Sequence, residues 1–299
     1  MRSWRPLMRF ACPALLFLAI PSLSRAQGSG SQTKPPQAQQ QPADDSVYLA
    51  KQLANPLADL VSVPFLADWD SSMGPNEPLT TRDQVGMPGK TTRFVLNIRP
   101  VFPFSLGEKW NIITRVSLPL ISQPAIITAA QPVFGVGDVL AAAYLTRKQP
   151  GNTIWGVGPA VSLPTTADMF LGTGKWSAGP SAILAKQQGP YTVGAVWNQI
   201  WSFAGNPDRD AVSRMQAQPF FSYTTEKAWT LGATWEITAD WKAAKGEKLM
   251  APVIFQASKI AFLGEYPVSF SVGAGPFIGH PDTGPSWKLR AGIALILER

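Results

Sequence analysis

The chain has 299 residues, of which 15% are charged, and its mean hydropathy is +0.01. Soluble domains carry about 25% charged residues, so this composition is unusual for a soluble protein. A mean hydropathy near zero also argues against a bundle of apolar membrane-spanning helices. Transmembrane strands fit both observations, because lipid-facing apolar residues alternate with lumen-facing polar residues along each strand.

The formal net charge of +7 overstates the basic character of the chain. Four arginines lie in the first 26 residues, which contain no acidic residue. Subtracting these four from the 26 basic residues leaves 22, against 19 acidic residues. We therefore expect no nucleic-acid partner. The only cysteine, Cys12, lies in the same segment, so we expect no thiolate metal site, no redox chemistry and no cofactor.

The N-terminal segment has the layout of a signal peptide. Three arginines precede an apolar run at residues 10–20, and Ser24 and Ala26 are small residues at the −3 and −1 positions of a cleavage site. The run is shorter than the roughly 20 residues that a spanning helix needs. We expect a signal peptide at residues 1–26, cleavage before Gln27, and export to the outer membrane of a Gram-negative bacterium.

The next two segments precede the main domain. Residues 27–45 are rich in Gln, Pro, Gly and Ser, a composition that cannot build a core, and they predict a disordered linker. Residues 46–58 include a short amphipathic stretch that ends before Pro56, and they predict a short helix and a candidate plug. Residues 59–299 form the predicted barrel.

From residue 61 onward the dominant period is two. In residues 229–240, for example, Trp229, Leu231 and Ala233 alternate with polar or small residues. Soluble β-sandwiches alternate too, but most of these segments have the length of transmembrane strands, which is about 9–11 residues, rather than the 5–6 of globular strands. The predicted strands are residues 61–70, 92–103, 110–120, 136–147, 153–164, 175–186, 191–203, 214–225, 228–240, 251–263, 267–279 and 286–297.

Two further patterns favour a membrane barrel. Five short connections alternate with six longer ones, as in barrels with short periplasmic turns and long external loops. Tryptophans cluster at the strand ends in two belts, as amphipathic rings do at membrane interfaces. These tryptophans are Trp110, Trp155 and Trp229 beside short turns, and Trp69, Trp176, Trp201, Trp241 and Trp287 beside long loops. The fold class expected is all-β: a closed antiparallel up-and-down transmembrane β-barrel of about twelve strands.

Six prolines lie inside the predicted strands, where a closed barrel tolerates few of them. Some strands must therefore carry bulges or end earlier than the alternation indicates. The prolines are Pro100, Pro159, Pro180, Pro219, Pro252 and Pro276.

The alternation turns several charges toward the lumen, and these are the candidate solute-selectivity residues. Closure of the ring predicts one basic wall, tempered by nearby aspartates, and an acidic pair across the lumen, which together would set a transverse field. The alternative is that these charges pair with one another and fill the interior. The candidates are Arg93, Arg99, Arg115, Asp138, Glu236, Asp240, Lys288 and Arg290.

We find no catalytic motif. Residues 172–175 read Gly-Thr-Gly-Lys, but Met169 replaces the first glycine of a phosphate loop and Trp176 replaces its Ser or Thr. The only histidine, His280, precedes a proline and lacks the nearby serine of outer-membrane hydrolases, so we expect a solvated loop residue and no enzyme activity.

As a set, several short stretches resemble the bacterial outer-membrane transporter family labelled MetA-pathway phenol degradation, which is sometimes mislabelled neuromedin U. The resemblance covers roughly residues 54–297. It implies an outer-membrane β-barrel associated with the breakdown of aromatic compounds, and it supplies no catalytic residues. The stretches are Ala54-Asn55-Pro56, Val61 to Phe65, Asn97 to Val101, Trp110 to Arg115, Gly135 to Asp138, Leu171 to Trp176, and Gln218-Pro219-Phe220.

Two functions remain open from the sequence, with an outer-membrane enzyme as a third and weaker alternative. The first is a transporter or channel for small solutes, aromatic or anionic in character. The second is a non-conducting barrel used for structure or surface binding, with its lumen closed by side chains or by residues 46–58. The expected partners are outer-membrane lipid, a small solute, and the barrel-assembly machinery through the last strand, where Arg290, Gly292, Leu295 and Leu297 resemble its signal.

Overall fold

The computed structural model describes residues 41–74, 90–125, 131–148, 151–166, 168 and 170–297. The predicted signal peptide and its cleavage site lie outside these residues, as does the predicted linker up to residue 40. The described elements are α1 (Gln41–Ala54), β1 (Val61–Met73), β2 (Thr91–Ile98), β3 (Val101–Leu106), β4 (Trp110–Gln123), β5 (Val133–Val136), β6 (Val139–Arg147), β7 (Thr153–Leu163), β8 (Lys175–Gln188), β9 (Tyr191–Gly205), β10 (Ser213–Thr224), β11 (Trp229–Trp235), β12 (Ile237–Asp240), β13 (Leu249–Met250), β14 (Val253–Leu263), β15 (Tyr266–Pro276) and β16 (Trp287–Leu297).

The strands pair antiparallel in one closed ring. Around the ring, β1 pairs with β2, β10 pairs with both β9 and β11, and β16 returns to pair with β1. Four pairs of short segments, β2–β3, β5–β6, β11–β12 and β13–β14, each continue one another as a single interrupted strand. The ring therefore has twelve antiparallel strands, and the fold expected from the sequence is confirmed.

Two of the four interruptions lie at prolines. Pro100 lies between β2 and β3, and Pro252 lies between β13 and β14. Proline has no N–H group to donate to a neighbouring strand, so pairing breaks at such positions. Pro159 and Pro180 pair with each other across β7 and β8, and the β6–β7 register skips Gly158 and Pro159.

The register of β1 against β16 distinguishes the inner face of the barrel from its outer face. Val61 pairs with Leu297 and Ser71 pairs with Trp287, with every intervening residue paired one to one. Asp68 is 1% exposed on the inner face, whereas Leu289 is 56% exposed on the outer face. Along the other strands the outer face is likewise apolar, as lipid contact requires. Exposed outer residues include Val157, Leu184, Val193, Leu231, Phe255, Val272 and Ile293.

The two ends of the ring differ. One end carries the short turns at residues 107–109, 148–152, 189–190, 225–228 and 264–265, and the other carries the longer connections. In the tight two-residue turns Gly189 and Gly264 have φ values of 59° and 67°, which glycine adopts without strain. β1 begins and β16 ends at the short-turn end, so α1 enters the barrel from that end.

The helix begins earlier than the sequence indicates. Residues 41–45, predicted to be part of the disordered linker, belong to α1, so that prediction is wrong for these five positions. Leu49 and Ala50 are buried against Ala228, Ile260 and Ile296 of the barrel. Burial of this apolar face explains why a polar segment becomes helical here. Among the described residues, no helix is long and apolar enough to cross a membrane.

Residues 55–60 follow α1 inside the ring. Leu57 is 6% exposed and lies in an apolar cluster formed by the inner faces of β4, β6, β7 and β8. The cluster consists of Ile113, Tyr144, Ile154, Ile183 and Ala185. Together, α1 and residues 55–60 occupy the lumen near the short-turn end, and we refer to them as the plug segment.

Candidate functional site: the barrel lumen

A cluster of ion pairs lies in the lumen beyond the plug segment. Arg290 on β16 binds Asp68 on β1 with two hydrogen bonds, Nε to Oδ1 at 2.6 Å and Nη2 to Oδ2 at 2.7 Å. The same guanidinium binds Glu236, with Nη1 to Oε1 at 2.9 Å and Nη2 to Oε2 at 3.1 Å. Such paired bonds are the strong geometry for arginine and carboxylate. Arg290 therefore links two carboxylates with its fork of donors.

Glu236 reaches this cluster from across the ring. It lies between β11 and β12, and the strands β14 and β15 separate β11 from β16. Glu236 Oε1 also lies 3.9 Å from Nη1 of Arg99, which lies between β2 and β3, almost opposite in the ring. The basic wall that carries Arg99 and Arg290 and the opposite wall that carries Glu236 were predicted to face each other across the lumen. At this level they are joined by direct ion pairs.

A second group of ion pairs lies nearer the long loops. Nζ of Lys288 lies 3.0 Å from Oδ2 of Asp68 and 2.9 Å from Oδ1 of Asp70. Arg93 donates to Asp70 from Nη2 at 2.7 Å and from Nε at 3.1 Å. The charges of this group therefore pair with one another inside the barrel, which is the alternative to a transverse field that the sequence left open. The carboxylates of Asp68 and Asp70 are almost fully buried.

Three of the candidate residues, Asp138, Asp240 and Arg115, lie outside this cluster. Asp138, which was expected to temper the basic wall, binds a residue of the β7–β8 loop. Its Oδ2 accepts hydrogen bonds from the backbone N–H of Thr173 at 2.6 Å and from the Thr173 hydroxyl at 2.7 Å, which ties the β7–β8 loop to the wall. Asp240 was expected to act with Glu236, but it accepts a hydrogen bond from Arg214 at 3.2 Å. The alternation along β10 turns Arg214 inward, but Arg214 was not among the candidate residues proposed from the sequence.

Arg115 lies closer to the plug segment than the ion-pair cluster does. Its Nη1 donates a hydrogen bond of 2.9 Å to the backbone carbonyl of Pro56. A second contact anchors the plug segment, because Nε2 of Gln187 donates to the carbonyl of Lys51 at 3.0 Å. Arg115 of the basic wall and Gln187 of β8 therefore hold the plug segment through main-chain acceptors, and nothing in the sequence pattern indicated these two contacts.

Between the plug segment and the ion-pair cluster lies a cavity of about 300 Å³. The plug segment forms one boundary, through residues such as Leu53, Asn55 and Pro56. Arg99, Glu236 and Arg290 contribute the opposite boundary. The side walls carry polar residues of small size, including Ser62, Ser222, Thr230, Ser258, Ser269 and Ser271. The lumen is therefore partly open at this level, and polar and apolar side chains line it together.

His280, the only histidine of the chain, is exposed in the β15–β16 connection. Its Nδ1 lies 2.6 Å from the carbonyl oxygen of Pro281. This placement is remote from the residues that line the lumen cavity. The geometry gives this side chain no role in the site described here.

Comparison with known proteins rests on structure. No protein-family model and no curated protein sequence matches the chain. The crystal structure of an outer membrane channel from Pseudomonas putida F1 matches with a TM-score of 0.53 and 18% identity, over 81% of this chain and 97% of that chain. The chain has the fold of an outer-membrane β-barrel. At this identity, the likeness extends to the fold alone.

Two other solved structures are more distant. The β domain of the Bordetella autotransporter BrkA matches with a TM-score of 0.34 and 12% identity, over 79% of this chain and 100% of that chain. A mutant porin of Rh. blastica matches with a TM-score of 0.24 and 10% identity, over 80% of this chain and 99% of that chain. Both are barrels too remote for residue-level comparison.

Proposed function

We propose that the protein is a channel of the outer membrane that carries small solutes and is closed in its resting state by the plug segment. The observation that carries this proposal is the cavity of about 300 Å³ inside a barrel whose outer face is apolar. An unfilled space inside the ring gives a small solute somewhere to bind, whereas a barrel closed entirely by side chains would not. An aromatic or anionic solute fits best, because arginines and apolar side chains line the same cavity.

The plug segment is the natural gate of such a channel. It is held by local contacts: the apolar pocket around Leu57, the Arg115–Pro56 hydrogen bond and the Gln187–Lys51 hydrogen bond. These contacts are separable from the strand ladder that closes the ring. We therefore propose that the segment leaves the lumen while the barrel stays intact.

Conductance in planar bilayers tests the proposal. We expect the unaltered chain to show brief, infrequent openings. Leu57→Asp places a charge in an apolar cluster, which costs several kcal/mol, so the plug segment should leave its pocket and steady conductance should appear. Tyr48→Asp is the matched control, because Tyr48 lies on the same helix but is 61% exposed. It should behave like the unaltered chain.

A second candidate function is a non-conducting barrel for structure or surface binding. The ion pairs of Arg290 and Glu236 across the lumen favour it, because they restrict the path at mid-height. Silence of the folded Leu57→Asp variant in the bilayer, with every solute tested, would support this second function and reject the channel.

A further inference from the structure

On the basis of the function proposed above, we propose that the lumen cavity binds a small carboxylate with an apolar body, held by Arg99 and Arg115. We further infer that this site exists only while the plug segment is in place. Solute recognition and closure of the channel are then properties of one site.

The charges around the cavity are unbalanced. Its lining includes three arginines, Arg99, Arg115 and Arg290, and one carboxylate, Glu236. Arg290 directs its donors at Glu236 and at Asp68 behind it. The positive charge that remains belongs to Arg99 and Arg115, and a bound anion would balance it.

Arg99 is poorly satisfied by the protein itself. Within the described part of the chain, its Nε is buried and has no hydrogen-bond partner. Its contact with Glu236 is 3.9 Å, longer than a hydrogen bond. A buried donor without an acceptor costs about 1–3 kcal/mol, so the protein itself does not hold this guanidinium firmly, and its exposed part is open to a ligand carboxylate.

Arg115 is a suitable second donor. Val101, two residues after Arg99 and on the same inner face, pairs with Arg115 on β4, so the two arginines enter the cavity from neighbouring strands. One Nη of Arg115 is used by Pro56, and a guanidinium has five N–H donors. Two adjacent guanidinium groups match the two oxygens of one carboxylate.

The rest of the cavity selects for size and apolar character. Leu53, Leu66, Val101 and Phe220 give it apolar surface beside the arginines. A volume of about 300 Å³ is at the lower end of the roughly 300–1,000 Å³ range of small-molecule sites. An acid of the size of benzoate fits these features, whereas an oligosaccharide or peptide does not.

The plug segment completes the site. Leu53, Asn55, Pro56 and Ala58 form one side of the cavity, and Pro56 orients Arg115. A ligand that contacts this side binds the plugged state better than the open state. By linkage, it must then stabilise the plugged state by the same factor.

Calorimetric titration of the folded, unaltered mature chain tests the site. Sodium benzoate is the probe, and benzyl alcohol is the uncharged comparison, with sodium chloride keeping the ionic strength equal. We expect benzoate to bind at least about tenfold tighter than benzyl alcohol, as charge-assisted hydrogen bonds require. Equal affinity for the two probes, or no benzoate binding, would overturn the proposal without use of any variant.

Variants then assign the residues. Arg99→Gln and Arg115→Gln should each weaken benzoate binding about tenfold or more. Arg93→Gln is the matched control, because Arg93 is a lumen arginine paired with Asp70 and does not line the cavity. It should change the affinity less than about twofold. Equal losses in all three variants would indicate a general effect of lumen charge and reject the assigned site.

A label on α1 tests the link to the plug segment. The only cysteine, Cys12, lies in the predicted signal peptide, so Tyr48→Cys gives a single label site in the mature chain. Benzoate should lower the mobility of a spin label there, and benzyl alcohol should not. Unchanged or increased mobility at saturating benzoate would overturn the inference. Benzoate binding by a barrel that never conducts would keep the site but reject the channel, so the two failures are distinguishable.

Discussion

Glu236 and Arg290 meet inside the barrel, although two other strands separate the strands that carry them. Their contact, together with Arg99, restricts the lumen at mid-height and closes the far side of the cavity. The permeation properties of the protein should therefore depend on this one carboxylate more than on any residue of the outer loops.

Glu236→Gln should open this restriction. The amide keeps the size of the side chain but loses the charge that holds Arg99 and Arg290, so we expect a more anion-selective lumen. The free energy of unfolding should fall by about 1.5–3 kcal/mol, the worth of hydrogen bonds to a charged group. Urea unfolding and reversal potentials in salt gradients measure the two effects.

The control for that variant is Glu226→Gln, an exposed glutamate in the short turn before β11. It removes the same charge without touching the lumen. If both variants change selectivity alike, net charge rather than the contact across the lumen determines the effect.

The double variant Arg99→Ala with Arg115→Ala should move ion selectivity away from anions. Both side chains line the cavity, and the third arginine there, Arg290, is already paired with Asp68 and Glu236. Loss of the Arg115–Pro56 hydrogen bond should also loosen the plug segment and increase the frequency of openings. Single-channel recording follows both quantities. A double variant with unchanged selectivity and unchanged gating would contradict the position given to these arginines.

Gly156 leaves room for the plug segment. A Cβ atom at this position would lie 2.7 Å from Cδ1 of Leu57 and 3.2 Å from Cβ of Tyr144. Gly156→Ala should therefore displace Leu57 and increase the mobility of a label at position 48. Leu57→Ala in the same chain removes the clashing methyl group.

A double-mutant cycle isolates this contact. The pair Gly156→Ala and Leu57→Ala should disturb the plug segment less than the sum of the two single changes. Additive effects would show that Gly156 and Leu57 act independently, contrary to their contact in the structure.

The closed ring should give heat-modifiable migration on gels. Every strand of the ring has a partner on both sides, so no free edge is available for stepwise unfolding in detergent. The unboiled mature protein should run apart from the boiled chain. Identical migration, together with a helical circular dichroism spectrum, is the outcome that the fold does not allow.

Cell fractionation with N-terminal sequencing tests the predicted export. The mature chain should begin at Gln27 and should be extracted from the outer membrane only with detergent. The Ser24-Arg25-Ala26 sequence and the apolar outer face of the barrel are the reasons. Recovery of the chain from the soluble periplasm would contradict this prediction.

The sequence was most informative about strands and faces. A period of two assigns each residue of a strand to the inner or the outer face, because a shift of one residue would reverse every side chain of that strand. The twelve strands and the inward placement of Arg99, Arg115 and Arg290 could therefore be predicted. Alternation carries no information about what lies across the lumen. The contact of Glu236 with Arg290 depends on strand register, tilt and the break between β11 and β12.

Other features depended on single contacts that no pattern records. Asp138 follows the alternation less closely because it lies between β5 and β6, and its partner Thr173 belongs to a loop 35 residues away. The plug segment was visible as an amphipathic stretch. Its depth in the lumen is set by the contact of Leu57 with Gly156 and by the hydrogen bond from Arg115 to Pro56, and these two barrel partners lie on strands distant in sequence.

The pairing of β1 with β16 has a consequence for assembly of the ring. Asp68 lies opposite Arg290 and Asp70 lies opposite Lys288 at the only seam that joins the first strand to the last. A slip of two residues in either direction would leave one of these cations without its acid, and a slip of one would turn both toward lipid. The two ion pairs at this seam therefore favour the correct register over every neighbouring one. They act in the last step of assembly, when the C-terminal strand pairs with β1 and the barrel closes.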